Sequence, residues 1–579
     1  MSKKIASVFR IVSSQGVAGL RRKIYWKFAR FFDDRQYQTW LRRFGTLDAS
    51  HVSVMQQEIA DWHNKPLISI VLPVYNVDEK WLSRCIDSVL RQIYSKWELC
   101  IADDCSTAEH IRPILNEYAA RDDRINIVFR PENGHISAAS NSALEMVTGE
   151  FTVLLDHDDQ LSGDALFWVA KELNDHPETK MIYSDEDMIG ADGRRYGPKF
   201  KPDFSRDLFY SLNLITHLSG YKTEVLRRID GFRPGVEGSQ DYDLALRVIE
   251  TISENEIRHI PRILYHWRAI EGSVALSSDE KPYAHERARE AIRDHLTRIG
   301  KNAEVTPSRF NLHRVLYKLP DPLPRVSLII DASKLAGDEA AMLESLVDRT
   351  EYPEIEKILV SEKEGVSDNA RTIVLQTSGI AAGLNAAAES ATGEVLCFVR
   401  LGFTPINSDW LRECVSFALQ DEIGAVGGEL LAADETVIGG GLVIGAGGLV
   451  GCAHREFPHD FAGNMARNIV TGNFSAVSAW CMVIRKSLFV DIGGFDSTVL
   501  PEQLFDADLC LRLCESGYRI VFTPYAKLIE LTESRAEARK APSKSEADYF
   551  VSRWKEYVEQ DPFYNPNLSK KDASFSIDI

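Results

Sequence analysis

The chain has no CxxC pair, although it carries nine cysteines in 579 residues. Cys510 and Cys514 stand at helical spacing without histidine partners nearby. Such thiols read as small core residues rather than metal ligands, and they fit a reducing cytosol. No run of eighteen apolar residues is present, which excludes an obvious membrane-spanning helix. The N-terminus lacks an apolar signal core with a cleavage site, so the expected location is cytoplasmic. Positive charge is also scarce: 67 Lys and Arg face 85 Asp and Glu, a formal net charge of -18. That balance argues against nucleic acid as a partner.

What is there suits a folded, multidomain protein. The length exceeds one ordinary core, and 26% charged residues is the level of soluble globular chains. Basic charge is concentrated at the start, where residues 1–43 hold eleven Lys and Arg against two Asp. Aromatic residues interleave them, as at Tyr25, Trp26, Phe28, Phe31 and Phe32. The pattern reads either as an interfacial helix lying on the cytoplasmic face of the inner membrane or as a helix docked on the body with a solvated basic face.

Past this segment, strand and helix patterns alternate. Strands are expected at 66–73, 97–102, 125–129 and 151–155, with helices at 80–93, 108–120 and 137–147. This alternation predicts an α/β fold with a largely parallel sheet whose ligands bind beyond the carboxyl ends of the strands. Asp103-Asp104 and the run Asp156-His157-Asp158-Asp159 both fall at that edge.

The sequence also repeats itself. NSALEMVTGE at 141–150 returns as NAAAESATGE at 385–394. KTEVLRRIDGF at 222–232 returns as RKSLFVDIGGF at 485–495, and QDYDLALR at 240–247 as FDADLCLR at 505–512. Pro-rich 319–324 separates the copies. The expected organisation is a basic helical segment at 1–65, a first domain at 66–300, a linker at 301–324, a second domain at 325–535 and a polar extension at 536–579. The copies diverge at one strand end, where Asp156-His157-Asp158-Asp159 is answered by Arg400-Leu401-Gly402-Phe403. The first copy closes on Tyr265-His266-Trp267-Arg268 and the second on Ile529-Glu530-Leu531-Thr532.

Several carboxylates at one strand end repel each other unless something compensates. A hard divalent cation, Mg²⁺ or Mn²⁺, binds one or two carboxylates together with nucleotide phosphates. A solvated acidic loop is the plain alternative. The Gly-rich run 439–448 lacks the Lys-Ser/Thr that follows a phosphate-binding loop, and reads as a tight β-hairpin.

Six elements in this order resemble glycosyltransferase family 2: Pro73-Val74-Tyr75-Asn76; Asp103-Asp104; Asn133-Gly134; Asp156-His157-Asp158-Asp159; Gln240-Asp241; and Tyr265-His266-Trp267-Arg268. Segments 200–208 and 561–567 resemble the bacterial members that build O-antigen and related surface polysaccharides. The resemblance implies two tandem GT-A (nucleotide-diphospho-sugar transferase, Rossmann-like) domains, the second of them degenerate. It implies that Pro73, Val74, Tyr75, Asn76, Asp103, Asp104, Asn133 and Gly134 hold the nucleotide of a nucleoside-diphosphate sugar. Asp156 and Asp158 match the element that holds ribose, diphosphate and metal. His266 matches a metal ligand of some members, the alternative being a histidine packed against Trp267. Arg268 becomes a helper for the leaving group, and Asp241 the base that deprotonates a glycan or lipid-linked acceptor in an inverting reaction. Asp241 also reads as a helix N-cap, and both roles can hold. Two positions depart from the family pattern: Gln240 stands where a Glu is common, and Ser140 where an Arg is common. Partners of this kind would include other components of polysaccharide assembly. Activity in both domains, a non-enzymatic carbohydrate-binding scaffold and a nucleotidyltransferase are the competing readings. The lost carboxylates at 400–402 oppose the first, the complete first-copy constellation the second, and a missing Gly-rich N-terminal loop the third.

Overall fold

Long apolar runs are buried on both faces when helices cover both sides of a sheet, and ISIVLPV at 68–74 and WELCIAD at 97–103 are buried throughout. The computed structural model describes residues 34–270, 282–333, 338–361, 370–374, 379–531 and 541–579. Its first sheet contains β1 (Ile68–Val74), β2 (Trp97–Asp103), β3 (Ile125–Phe129), β4 (Phe151–Leu154), β5 (Gln160–Leu161), β6 (Met181–Gly190), β7 (Arg195–Lys199), β8 (Ser219–Lys222) and β9 (Ile257–Ala269). The order is β3-β2-β1-β4-β8-β6-β9-β5, with β7 on β6. Strands β1 to β4 are parallel, and β8 runs antiparallel between β4 and β6. The four expected strands and three expected helices of the first 155 residues are all present, with ends shifted by a few residues.

A second sheet has the same order, written from the matching edge as Arg371–Val374, Ile355–Ser361, Val326–Asp331, Val395–Arg400, Cys481–Arg485, Ile423–Leu431, Arg519–Glu530 and Phe403–Pro405. The repeated peptides do the same job in each half. Asn141 clamps the backbone of Phe232 through both ends of its amide (2.8 and 2.8 Å), and Asn385 clamps Phe495 (2.8 and 3.0 Å). Arg247 pairs with Asp243 and caps the carbonyls of Ile229 and Gly231, as Arg512 does with Asp508, Ile492 and Gly494. Gly149 donates to Ser69 Oγ, and a Cβ there would lie 2.5 Å from the Leu67 carbonyl oxygen. Gly393 donates to Ser327 in the same way. These asparagines, arginines and glycines, shared by the two copies, therefore lock the scaffold.

Two expectations need revision. Residues 301–324 are more than a linker: Ala303–Pro307 and His313–Tyr317 pair as a hairpin, whose Val305, Val315 and Tyr317 are buried. The extension after 535 is not simply polar, since Phe550, Trp554 and Tyr564 are buried. It also joins the halves. Asp561 accepts from Ile444 N (2.7 Å) and Ser475 (2.7 Å), while Asn565 donates to Asp185 of β6 (3.1 and 2.9 Å). Buried Asp207 and Asn473, with the partly buried Arg519, add a second seam between the halves.

The helix at 34–44 docks on the first half through Tyr37 and Asp187 and through the Trp40–Phe200 ring contact. The basic aromatic stretch around Tyr25 to Phe32 lies outside the described residues. Among the described residues, no helix is long and apolar enough to cross a membrane. The Gly-rich run forms an antiparallel pair, Gly441–Ile444 with Val450–Cys452.

Candidate active site

The carboxyl ends of β1, β2 and β4 open into a cleft of about 850 Å³. Its walls include Pro73, Val74, Tyr75, Asp104, Asn133, Asp156, Asp158, His217, Asp241 and Trp267. Parallel strands end on one edge, so residues 30 to 80 positions apart converge there. The tip of the 303–317 hairpin, Asn311 to His313, reaches the same cleft.

The expected nucleotide-binding group is partly wall and partly brace. Tyr75 is exposed in the cleft. Asn76 braces the loop after β2: its Oδ1 accepts from Thr107 N (2.8 Å) and Ala108 N (3.0 Å). Asn76 adopts φ 46°, a left-handed conformation that asparagine tolerates. Asp103 is buried and accepts from Ser106 N (3.3 Å). Asp104 accepts from Gly134 N (3.0 Å) and pairs with Arg130 (3.3 Å), which ties the Asn133-Gly134 turn to the strand end.

Asp156 and Asp158 both line the cleft. Asp159 is buried behind them, accepting from Tyr265 OH (2.6 Å) and Arg268 N (2.6 Å). Burial, together with the neighbouring carboxylates, pushes the Asp158 and Asp159 carboxyls up. Asp156, Asp159 and His217 present donor atoms that all lie within 4.8 Å of one another.

His217, absent from the sequence expectation, is the cleft histidine grouped with Asp156 and Asp159, whereas His266 points away. Residues alternate between faces along a strand. In β9, Tyr265 and Trp267 therefore face the cleft and His266 the other side. His266 Nδ1 lies 2.6 Å from Asp187 Oδ1, and its ring lines a separate cavity with Trp40 and Phe44. Arg268 is likewise misassigned as a leaving-group helper. It is fully buried, donates to Gln160 (2.8 Å) and stacks over Trp81 (4.2 Å), supporting the acidic loop from behind. A signal for His217 does exist in the sequence: extending the 222/485 alignment backwards sets it against Trp480 of the second copy.

Asp241 occupies the second position of the helix Gln240–Ile249, whose N-cap is Ser239, so its carboxylate faces the cleft at the helix start and it is not itself the cap. Asn213 Nδ2 donates to it (3.1 Å). Burial pushes its carboxyl above the ordinary range, His217 pulls it down and Asp156 pushes it up again. A base that is reluctant to stay ionised is better matched to taking a proton near neutral pH.

Comparison with known proteins bears on the family. The family model described as "Glycosyl transferase family 2" matches residues 69–230, from β1 across the acidic strand end and past β8. A putative colanic acid biosynthesis glycosyl transferase, WcaA of Escherichia coli, is 30% identical over 234 residues, covering 38% of this chain and 79% of its own. The chain belongs to glycosyltransferase family 2. Two longer relatives cover nearly all of it. The uncharacterized protein y4gI of Sinorhizobium fredii is 38% identical over 561 residues, 93% of this chain and 62% of that one. The O-antigen biosynthesis protein RfbC of Myxococcus xanthus is 34% identical over 547 residues, 90% of this chain and 42% of that one. The chain thus spans about two fifths to three fifths of these two relatives.

Proposed function

We propose that this family 2 member is an inverting, metal-dependent glycosyltransferase. It moves a sugar from a nucleoside-diphosphate donor to a glycan or lipid-linked acceptor in the assembly of a bacterial surface polysaccharide, on the cytoplasmic side of the membrane. The observation that carries the reading is the meeting of Asp156, Asp158, His217 and Asp241 in one cleft at the strand ends. The surface-polysaccharide context draws on the printed names of RfbC and WcaA.

Two carboxylates and an imidazole form a donor set that suits Mn²⁺ or Mg²⁺, and Asp156, Asp159 and His217 are the residues that would hold it, with Asp158 beside them. A cation bound there would neutralise charge on the departing diphosphate. The chain's own residues supply the rest. The Tyr75 and Asp104 walls seat the nucleoside. Asp241 Oδ takes the proton of the acceptor hydroxyl as that oxygen attacks the anomeric carbon opposite the leaving group, which inverts the centre. General-base help of this kind is worth about 10²–10⁴-fold.

The second half serves acceptor binding or organisation without transfer. Arg400 holds the place of Asp156 and lies over Trp480 (4.6 Å). Asp506, at the position of Asp241, accepts from Ala479 N (3.0 Å) and Ala507 N (2.9 Å). The purified chain is tested for nucleoside-diphosphate release across UDP-, GDP- and dTDP-sugars with Mn²⁺ or Mg²⁺. Release with one donor class, abolished in Asp158→Ala, supports the reading. Full turnover in Asp158→Ala overturns the single-site assignment.

A further inference from the structure

We infer that Glu186, in the middle of β6, is a positioning residue that orients His217 toward the acidic strand end. The inference rests on the metal reading of the cleft proposed above. Glu186 is almost wholly buried, and its Oε2 lies 2.8 Å from His217 Nδ1 and also accepts the His217 backbone N–H. Lys199 pairs with the same carboxylate, and Lys201 donates to the carbonyls of Thr216 (2.8 Å) and His217 (3.0 Å). The imidazole stacks on Tyr265 at 4.6 Å between centroids, so ring plane and ring rotation are both held.

This arrangement settles which nitrogen faces the cleft. A carboxylate on Nδ1 holds the proton there and leaves the Nε2 lone pair free, the usual support for a metal-bound histidine. His217 Nε2 is 3.9 Å from Asp156 Oδ2, too long for a hydrogen bond.

The second half supplies an independent observation. Pairing of β6 with β9 sets Glu186 against Tyr265, and Tyr265 against Leu161. The corresponding pairs are Leu430 with Leu528 and Leu528 with Pro405, so Leu430 occupies the Glu186 position. Pairing of Phe151 with Lys222 and of Val395 with Arg485 sets His217 against Trp480. The half that lacks the strand-end carboxylates therefore lacks the histidine and its buried carboxylate as well. A glutamate needed only by the fold has no reason to disappear with them, whereas one that serves His217 does.

The test titrates Mn²⁺ into the full chain, alone and with UDP or GDP, and follows loss of the free-ion EPR signal. Glu186→Gln removes the charge at constant shape, and Glu186→Asp keeps the charge but withdraws it from Nδ1. Each is expected to weaken Mn²⁺ binding about 10–100-fold, with lost turnover recovered at high Mn²⁺ and metal-free thermal unfolding still cooperative. In a His217→Gln background the same changes are expected to have no further effect on Mn²⁺ binding. Unchanged Mn²⁺ affinity in both Glu186 variants, or an equal loss with and without His217, overturns the positioning role while leaving the metal reading intact. Absence of Mn²⁺ binding by the unaltered chain under all three conditions overturns the metal reading and the inference together.

Discussion

Asp241→Asn separates chemistry from folding more cleanly than any other single change in the cleft. The amide has the carboxylate's shape, and its Oδ1 can still accept from Asn213 Nδ2, now 3.1 Å away. Removing a negative charge from the first turn of Gln240–Ile249 forfeits about 0.3–1 kcal/mol of helix-dipole stabilisation. A second effect opposes this. The folded carboxyl is raised, first by burial, so ionising it at neutral pH disfavours the folded state, and a neutral amide is spared that cost. Net stability should change by less than about 1 kcal/mol. The transition state loses its proton acceptor, so kcat should fall about 10²–10⁴-fold, or about 3–5 kcal/mol. Thermal unfolding, calorimetric donor binding and nucleoside-diphosphate release measure the three quantities. The acidic limb of the unaltered enzyme's kcat profile should lie above the ordinary aspartate value, because the base must be deprotonated to act and its pKa is raised. A loss of kcat below tenfold, or one matched by an equal loss of donor affinity, refutes the base assignment.

The two histidines should separate in the same assays. His266→Gln should leave Mn²⁺ affinity unchanged but lower stability by about 1–3 kcal/mol, because Asp187 loses a buried hydrogen-bond partner; a tenfold loss of Mn²⁺ binding would restore it to the metal shell. His259 predicts a pH effect on stability. Burial lowers its pKa, but Asp185 (2.9 Å) and Asp203 (3.1 Å) outweigh burial and hold it at about 9, above the ordinary histidine value of about 6.5. A raised folded pKa gives stability that is complete below about 6.5 and lost as pH rises through 9, here about 3 kcal/mol. Urea unfolding at pH 6 and pH 10 should show this loss in the unaltered chain and not in His259→Gln; parallel curves for the two proteins would count against the coupling.

The acidic residues of the cleft were legible because their placement depends on local pattern alone. Asp104 follows WELCIAD and Asp156 follows FTVLL, and parallel strands necessarily end on one edge. Asp241 was legible for a similar reason, at the start of an apolar-periodic helix. The histidine was not. His266 stands next to Trp267 in the family-like word, but the choice of face depends on strand register, and β9 carries two register irregularities against β6 before it reaches the cleft. His217 lies in a connection before β8 and reaches Asp156 only because β8 is inserted antiparallel between β4 and β6; its pairing with β4 joins residues 67 to 71 positions apart, which no local periodicity specifies.

The sequence by itself therefore determined the alternation of elements, the doubling of the chain and the strand ends at which carboxylates gather, since each follows from short-range periodicity or from comparing one copy with the other. Only the tertiary structure decided which histidine faces those carboxylates, that Arg268 is buried behind them, that Glu186 lies behind His217, and that residues 303–317 and 561–567 close the body around the first half. These depend on sheet register and on contacts across hundreds of residues, where a one-residue change of parity sends a side chain to the opposite face.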